Sequence, residues 1–212
     1  MKAAIFDMDG TLLDSMGVWE NLGQDYLQTL GITPPENLRE TIRAMSFPET
    51  ADYFIRTFHL SSTPEELIAA WNATAVAAYR AKAKVKPFAK EYLALLAAKG
   101  VRLCVATATN AAIAHEILSK NGIFPLLEFI LTEEEAGVGK ASPDIYFMAA
   151  ERLGVQPRDC VVFEDAYHAV KTAKEAGFTV YAVEDRSAEA YREEIIKICD
   201  KYTSFEEEFS CG

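Results

Sequence analysis

Four short apolar runs set the frame of this chain: Ala3-Ala4-Ile5-Phe6, Val101-Arg102-Leu103-Cys104-Val105-Ala106, Cys160-Val161-Val162-Phe163 and Thr179-Val180-Tyr181-Ala182-Val183. Each lies beside a segment with helical spacing of apolar residues. A strand-length run without polar alternation suits a strand covered on both faces, and strand-helix alternation of this kind builds a parallel α/β sheet. The helix ends are punctuated to match. Ser142-Pro143 opens a segment with apolar Ile145, Met148, Ala149 and Leu153, and Gly154 closes it, while Gly100, Gly122 and Gly177 close others. The expected core is a doubly wound parallel sheet.

Between Ser15 and Lys82 the pattern changes to helical segments only, separated by turn signals at Gly31-Ile32-Thr33-Pro34-Pro35, Ser46-Phe47-Pro48 and Ser61-Ser62-Thr63-Pro64. That block has no place in a strand-helix alternation. It is read as an α-helical cap, residues 15–82, inserted into a core formed by residues 1–14 and 83–212, with Ala83 to Pro87 returning the chain. Glu206-Glu207-Glu208 reads as a solvated face.

Half the residues are hydrophobic and a quarter charged, the profile of an ordinary globular chain. Charged residues interrupt every helix-length apolar window, so no bilayer-spanning helix is expected. Met1-Lys2 leads straight into a short apolar run with no signal-peptide pattern, which makes the cytoplasm the expected compartment. Cys104, Cys160, Cys199 and Cys211 show no paired spacing and are expected to be reduced structural thiols. A net charge of −11 repels nucleic acid. A small anionic partner must therefore be held locally, by metal, Lys and backbone N–H groups.

The densest chemistry lies at Asp7-Met8-Asp9-Gly10-Thr11-Leu12-Leu13-Asp14, directly off the first apolar run. Two carboxylates one residue apart at the carboxyl end of a buried strand stand where open α/β sheets bind ligands. Their mutual repulsion is relieved by a divalent cation, and oxygen-only ligands suit magnesium. Taken alone, Asp-Gly is also an ordinary turn. Three further polar groups each end a strand or open a helix: Thr107, Lys140 before Ala141-Ser142-Pro143-Asp144, and Glu164-Asp165. Thr107 could donate to a phosphate oxygen or cap a helix, a role for which Thr109 competes. Lys140 offers a point charge, and Asp165 either completes a metal site or caps the next helix.

With these residues in this order, the chain resembles the haloacid dehalogenase-like hydrolases, in particular the subfamily with a helical cap between its first and second motifs. Motif one matches at Asp7-Met8-Asp9-Gly10-Thr11, motif two at Thr107, motif three at Gly139-Lys140-Ala141-Ser142-Pro143-Asp144 and motif four at Glu164-Asp165. The likeness is greatest to sugar-phosphate phosphatases and β-phosphoglucomutase-like enzymes, and it implies a Rossmann-like core. It also implies that Asp7 is the nucleophile and forms an aspartyl-phosphate, and that Asp9 is the general acid and base. Magnesium would be held by Asp7, Asp9 through its backbone carbonyl, and Asp165, with Glu164 in support. Thr107 and Lys140 would hold the phosphoryl oxygens. The cap would exclude water and choose the leaving group.

Asp9 favours phosphate-ester chemistry, because the family's dehalogenases, phosphonatases and transport ATPases lack an Asp there. Similar mutases carry a cap His where this chain has Trp19, and a Gly-x-Ser-Arg segment where it has Ala44-Met45-Ser46-Phe47. Arg39, Arg43 or Arg56 could substitute, so a mutase is the second expectation after a phosphatase, and a catalytically silent phospho-ligand binder the third. Trp19 and Phe47 are candidates for lining a substrate pocket or for cap core. The expected partner is a small phosphorylated metabolite, with no nucleic acid or membrane, and the expected state is a monomer. Gly137-Val138-Gly139-Lys140 is not a nucleotide-binding P-loop, since position 134 is Glu and no Ser or Thr follows the Lys. His59, His115 and His168 lack the spacing of a zinc site or catalytic triad.

Overall fold

The computed structural model describes residues 1–42, 45 and 47–210. Two units separate by internal packing: one formed by Met1–Asp14 and the chain from Lys84 onward, the other by Ser15–Ala83.

The first unit is built on strands β1 (Ala3–Phe6), β2 (Leu13–Asp14), β3 (Lys84–Val85), β4 (Arg102–Thr107), β5 (Phe129–Thr132), β6 (Cys160–Glu164), β7 (Thr179–Val183) and β8 (Lys201–Thr203). Six of them form one sheet in the order β5-β4-β1-β6-β7-β8, parallel throughout. The chain builds outward from β1 through β4 to β5, then returns to the other side of β1 for β6. Because such crossovers are right-handed, this reversal sends helices to both faces and leaves a crevice at the carboxyl ends of β1 and β6. Ile5 in the central strand pairs with both Cys104 and Val162.

Strand periodicity sorts the core into two faces. Ala3, Ile5, Cys104, Ala106, Cys160, Val162, Val180 and Ala182 belong to one buried cluster with Ile145, Tyr146 and Ala149 of α8 (Asp144–Arg152), Val170 and Ala173 of α9 (Tyr167–Glu175), and Ile195 of α10 (Arg192–Ile198). The alternate positions Phe6 and Phe163 stack at 4.4 Å and meet Tyr92 of α5 (Ala89–Ala98) and Phe205 of α11 (Phe205–Ser210). The remaining helices of this unit are α6 (Ala111–Lys120) and the short α7 (Glu133–Ala136).

β5 and β8 escaped the apolar-run criterion. Both are sheet edges with half-exposed residues: β8, Lys201-Tyr202-Thr203, has no apolar run, and β5 has one of only three residues, Phe129-Ile130-Leu131. The return segment from Ala83 to Pro87 contains β3, which pairs antiparallel with β2 through Leu13 and Val85. The solvated reading of Glu206-Glu207-Glu208 is corrected at Glu208, which is buried. α11 turns this residue inward, where its carboxylate accepts from Thr203 Oγ1 at 2.8 Å and Tyr92 OH at 3.3 Å and pairs with Lys201.

The second unit contains α1 (Met16–Thr29), α2 (Leu38–Ile42), α3 (Phe47–Phe58) and α4 (Pro64–Lys82). Thr63 and Glu66 form a reciprocal capping box at the start of α4, with Pro64 in the first turn. Leu22, Leu27, Leu38, Ala51, Phe54, Leu67 and Trp71 form its core, where the Phe54 and Trp71 rings meet edge to face at 5.0 Å. Gly23 faces Phe54 so closely that a Cβ there would lie 2.9 Å from the ring, which favours glycine where these two side chains pack. No described helix is long and apolar enough to cross a membrane.

Candidate active site

Asp7 extends β1 by one ladder bond, its N–H donating to the Phe163 carbonyl at 2.9 Å, and its side chain is buried at the carboxyl end of the sheet. The chain then doubles back: Leu13 N–H donates to the Met8 carbonyl and Gly10 N–H to the Leu13 carbonyl, each at 2.9 Å. Gly10 has φ +86, and a Cβ there would fall 2.4 Å from Asp165 Oδ2. Only glycine combines that backbone conformation with such a close approach. Thr11 Oγ1 completes the join by donating to Asp165 Oδ1 at 2.9 Å.

Lys140 is buried, and a buried ammonium requires partners. Its Nζ pairs with Asp7 Oδ1 and with Glu164 Oε1 at 2.7 Å, and its backbone N–H donates to Glu133 Oε1 at 2.8 Å. Glu164 also accepts from Tyr146 OH at 3.0 Å. Carboxylate oxygens of Asp7, Glu164 and Asp165 lie within 4.8 Å of one another. Burial pushes the Asp7 carboxyl well above the usual range; Lys140 opposes this, and Glu164, Asp165 and Asp9 add to it. Asp165 is pushed up to about 7, chiefly by burial and then by Glu164, with the Thr11 hydrogen bond acting against them. Burial works against the charge on Lys140, but Asp7 and Glu164 together outweigh it and hold the ammonium above its ordinary range.

Three buried carboxylates thus face one ammonium. The donor set is all oxygen, close-set and short of positive charge, which fits a hard divalent cation.

Thr107 is the last residue of β4, and neither capping alternative holds in the structure. Asn110 caps α6 by accepting from Ala112 N–H at 3.0 Å, while Thr107 Oγ1 accepts from Thr109 N–H at 3.0 Å. Thr109 Oγ1 reaches across the sheet end to donate to Asp9 Oδ2 at 2.6 Å. Asp165 does not cap α9 either; the residue at that position is Ala166, which makes no side-chain cap.

The structure therefore gathers Asp7, Lys140, Glu164 and Asp165 into one bonded cluster, and links Asp9 to Thr107 through Thr109. Sequence reasoning assigned no role to Thr11, Glu133 or Tyr146, and considered Thr109 only as a cap. Thr11 lay within the quoted motif and Thr109 two residues beyond Thr107, but the partners of both are remote in sequence. Trp19 stands in α1 and Phe47 begins α3, but the side chains of both lie outside the described residues, as do Arg43, Ala44 and Ser46 altogether. Arg56 Nε donates to the Asp52 carbonyl of its own helix at 3.2 Å. A separate depression of about 530 Å³ opens beside Lys86, Asp185, Arg186 and Arg192, and none of the cluster residues lines it.

The haloacid dehalogenase-like hydrolase profile matches residues 1–177, and the chain belongs to that family. A Drosophila melanogaster protein provisionally named pseudouridine-5′-phosphatase is 30% identical over 187 residues, covering 85% of this chain and 80% of that one. Hexitol phosphatase A of Escherichia coli is 29% identical over 194 residues, covering 86% and 82%. Among solved structures, a Thermotoga maritima protein provisionally named β-phosphoglucomutase superposes with a TM-score of 0.86 at 25% identity, covering 100% of this chain and 98% of that one.

Proposed function

We propose that this chain is a phosphatase that hydrolyses a small sugar or polyol phosphate monoester, with Asp7 as nucleophile and Asp9 as general acid and base. The observation that carries the reading is the buried Asp7–Lys140–Glu164–Asp165 cluster at the sheet's switch point, with Asp9 two residues from the nucleophile. Curated relatives named for a pseudouridine phosphate and a hexitol phosphate support the substrate class.

Asp7 attacks phosphorus, forming a new O–P bond as the ester P–O bond breaks, and Asp9 gives its proton to the departing alkoxide. In the second half Asp9 takes a proton from water as that water attacks phosphorus. The bond to Asp7 breaks, and inorganic phosphate leaves with both carboxyl groups restored. Lys140 and Thr107 hold phosphoryl oxygens, and Lys140 also keeps Asp7 oriented. Magnesium would be held by Asp7, Asp165 and the Asp9 backbone carbonyl, with Glu164 in support. Bound there, it offsets the charge of the carboxylates and the phosphoryl group. We assign chemistry to the sheet unit and choice of leaving group to the helical unit.

The test is phosphate release from a magnesium-supplemented panel of sugar, polyol and nucleoside phosphates together with p-nitrophenyl phosphate. Release is expected; silence across the whole panel rejects the reading. β-Glucose 1-phosphate belongs on the panel because of the mutase-named structural neighbour: glucose 6-phosphate formed in place of inorganic phosphate identifies a mutase.

A further inference from the structure

Thr109 lies outside the four sequence motifs, yet its two polar groups tie together the residues on either side of the reaction. Its N–H donates to Thr107 Oγ1 at 3.0 Å, a local turn of a common kind. Its hydroxyl spans 100 sequence positions to donate to Asp9 Oδ2 at 2.6 Å. The hydroxyl is not consumed by helix α6, because Asn110 already caps it.

We propose that Thr109 is a positioning residue whose hydroxyl fixes the orientation of the Asp9 carboxyl for proton transfer, while its backbone N–H holds the hydroxyl oxygen of Thr107. With Oδ2 accepting from Thr109, the Asp9 carboxyl is held in one orientation, from which it gives its proton to the departing alkoxide and later takes the proton of water. With its oxygen accepting from Thr109 N–H, the Thr107 hydroxyl has its own proton to direct elsewhere, toward a phosphoryl oxygen.

This role rests on the phosphatase reading, and the experiment separates the two. A general acid matters when the leaving group is a poor alkoxide and matters little when it is p-nitrophenolate, which departs without a proton. Thr109→Val keeps the shape and the backbone donor but removes the hydroxyl. It is expected to lower kcat/KM for the best alkyl phosphate of the panel by about 10- to 100-fold, a part of the roughly 10²- to 10⁴-fold that general acid catalysis contributes, and for p-nitrophenyl phosphate by no more than about twofold. Thr109→Ser, which restores a hydroxyl, is expected to recover most of the alkyl phosphate rate. On an Asp9→Asn background, Thr109→Val is expected to add no further loss, because a residue acting through Asp9 has nothing left to act on. Equal losses on both substrates, full alkyl phosphate activity in Thr109→Val, or additive losses with Asp9→Asn each overturn the positioning role while leaving the phosphatase reading intact. If Thr109→Val is poorly folded, Thr109→Ala replaces it, with the same split between the two substrates expected and equal losses again overturning the role. A wild-type protein inert toward the panel overturns the phosphatase reading, and the positioning role with it.

Discussion

Two buried acidic sites in the sheet unit differ in how their charge is matched. Glu208, in α11, is one carboxylate among three donors: Thr203, Tyr92 and Lys201. At the end of β1 and β6, Asp7, Glu164 and Asp165 share one ammonium. The first site is satisfied and ties a helix to the sheet edge. The second is left short of positive charge, and its two aspartates are pushed toward the neutral form by burial and by their neighbours. A carboxylate surrounded by donors contributes to the fold, whereas clustered carboxylates with too few donors need something from outside, a cation or a reacting group.

The contrast is broken if substitutions at the two sites have similar consequences. The largest effect is expected from Asp7→Asn, which loses phosphatase turnover by about 10³-fold or more, as removal of a nucleophile does. Its unfolding transition is expected to stay near that of wild type, because the amide keeps the shape and relieves repulsion; retained turnover in phosphate-release assays would remove Asp7 from its assigned role. Asp9→Asn comes next, with an expected loss of about 10²- to 10⁴-fold on alkyl phosphates through proton transfer. Unchanged rates in that variant contradict its assignment. Magnesium itself supplies a readout without turnover: at about 100 times its dissociation constant it is expected to raise stability by about 2.7 kcal/mol, measured by thermal unfolding. Asp165→Asn should lose most of that shift. Glu208→Ala has the smallest expected effect, destabilising by about 1–3 kcal/mol through orphaned donors while kcat stays within about twofold of wild type. A variant at Glu208 that kept its stability but lost activity would reverse the comparison.

How much of this was readable beforehand follows from the range of each signal. β1, β4, β6 and β7 announced themselves because strands buried on both faces need uninterrupted apolar side chains. β8 did not, because an edge strand of Lys, Tyr and Thr carries no such run, and β5 did not because its run is only three residues long. Glu208 misled for a related reason: an acidic triplet looks solvated unless the helix face it occupies is known. Thr107 and Asp165 each had a plausible local partner at a helix start, and local reasoning alone favoured capping. The structure put Asn110 and Ala166 at those helix starts and sent the Thr107 and Asp165 side chains elsewhere.

What the sequence determined by itself was the set of strand ends and the polar residues placed on them, since both the end of an apolar run and the residue after it are local facts. Asp7, Glu164 and Asp165 were named on that basis, and Lys140 from the helix start that it precedes. What only the tertiary structure decided was their pairing. Thr11 reaches Asp165 across 154 positions and Thr109 reaches Asp9 across 100, because a parallel sheet aligns strand ends that are remote in the chain. A hydrogen bond formed at such separation leaves no periodicity in the sequence, and its partner becomes known only when the strands are placed side by side.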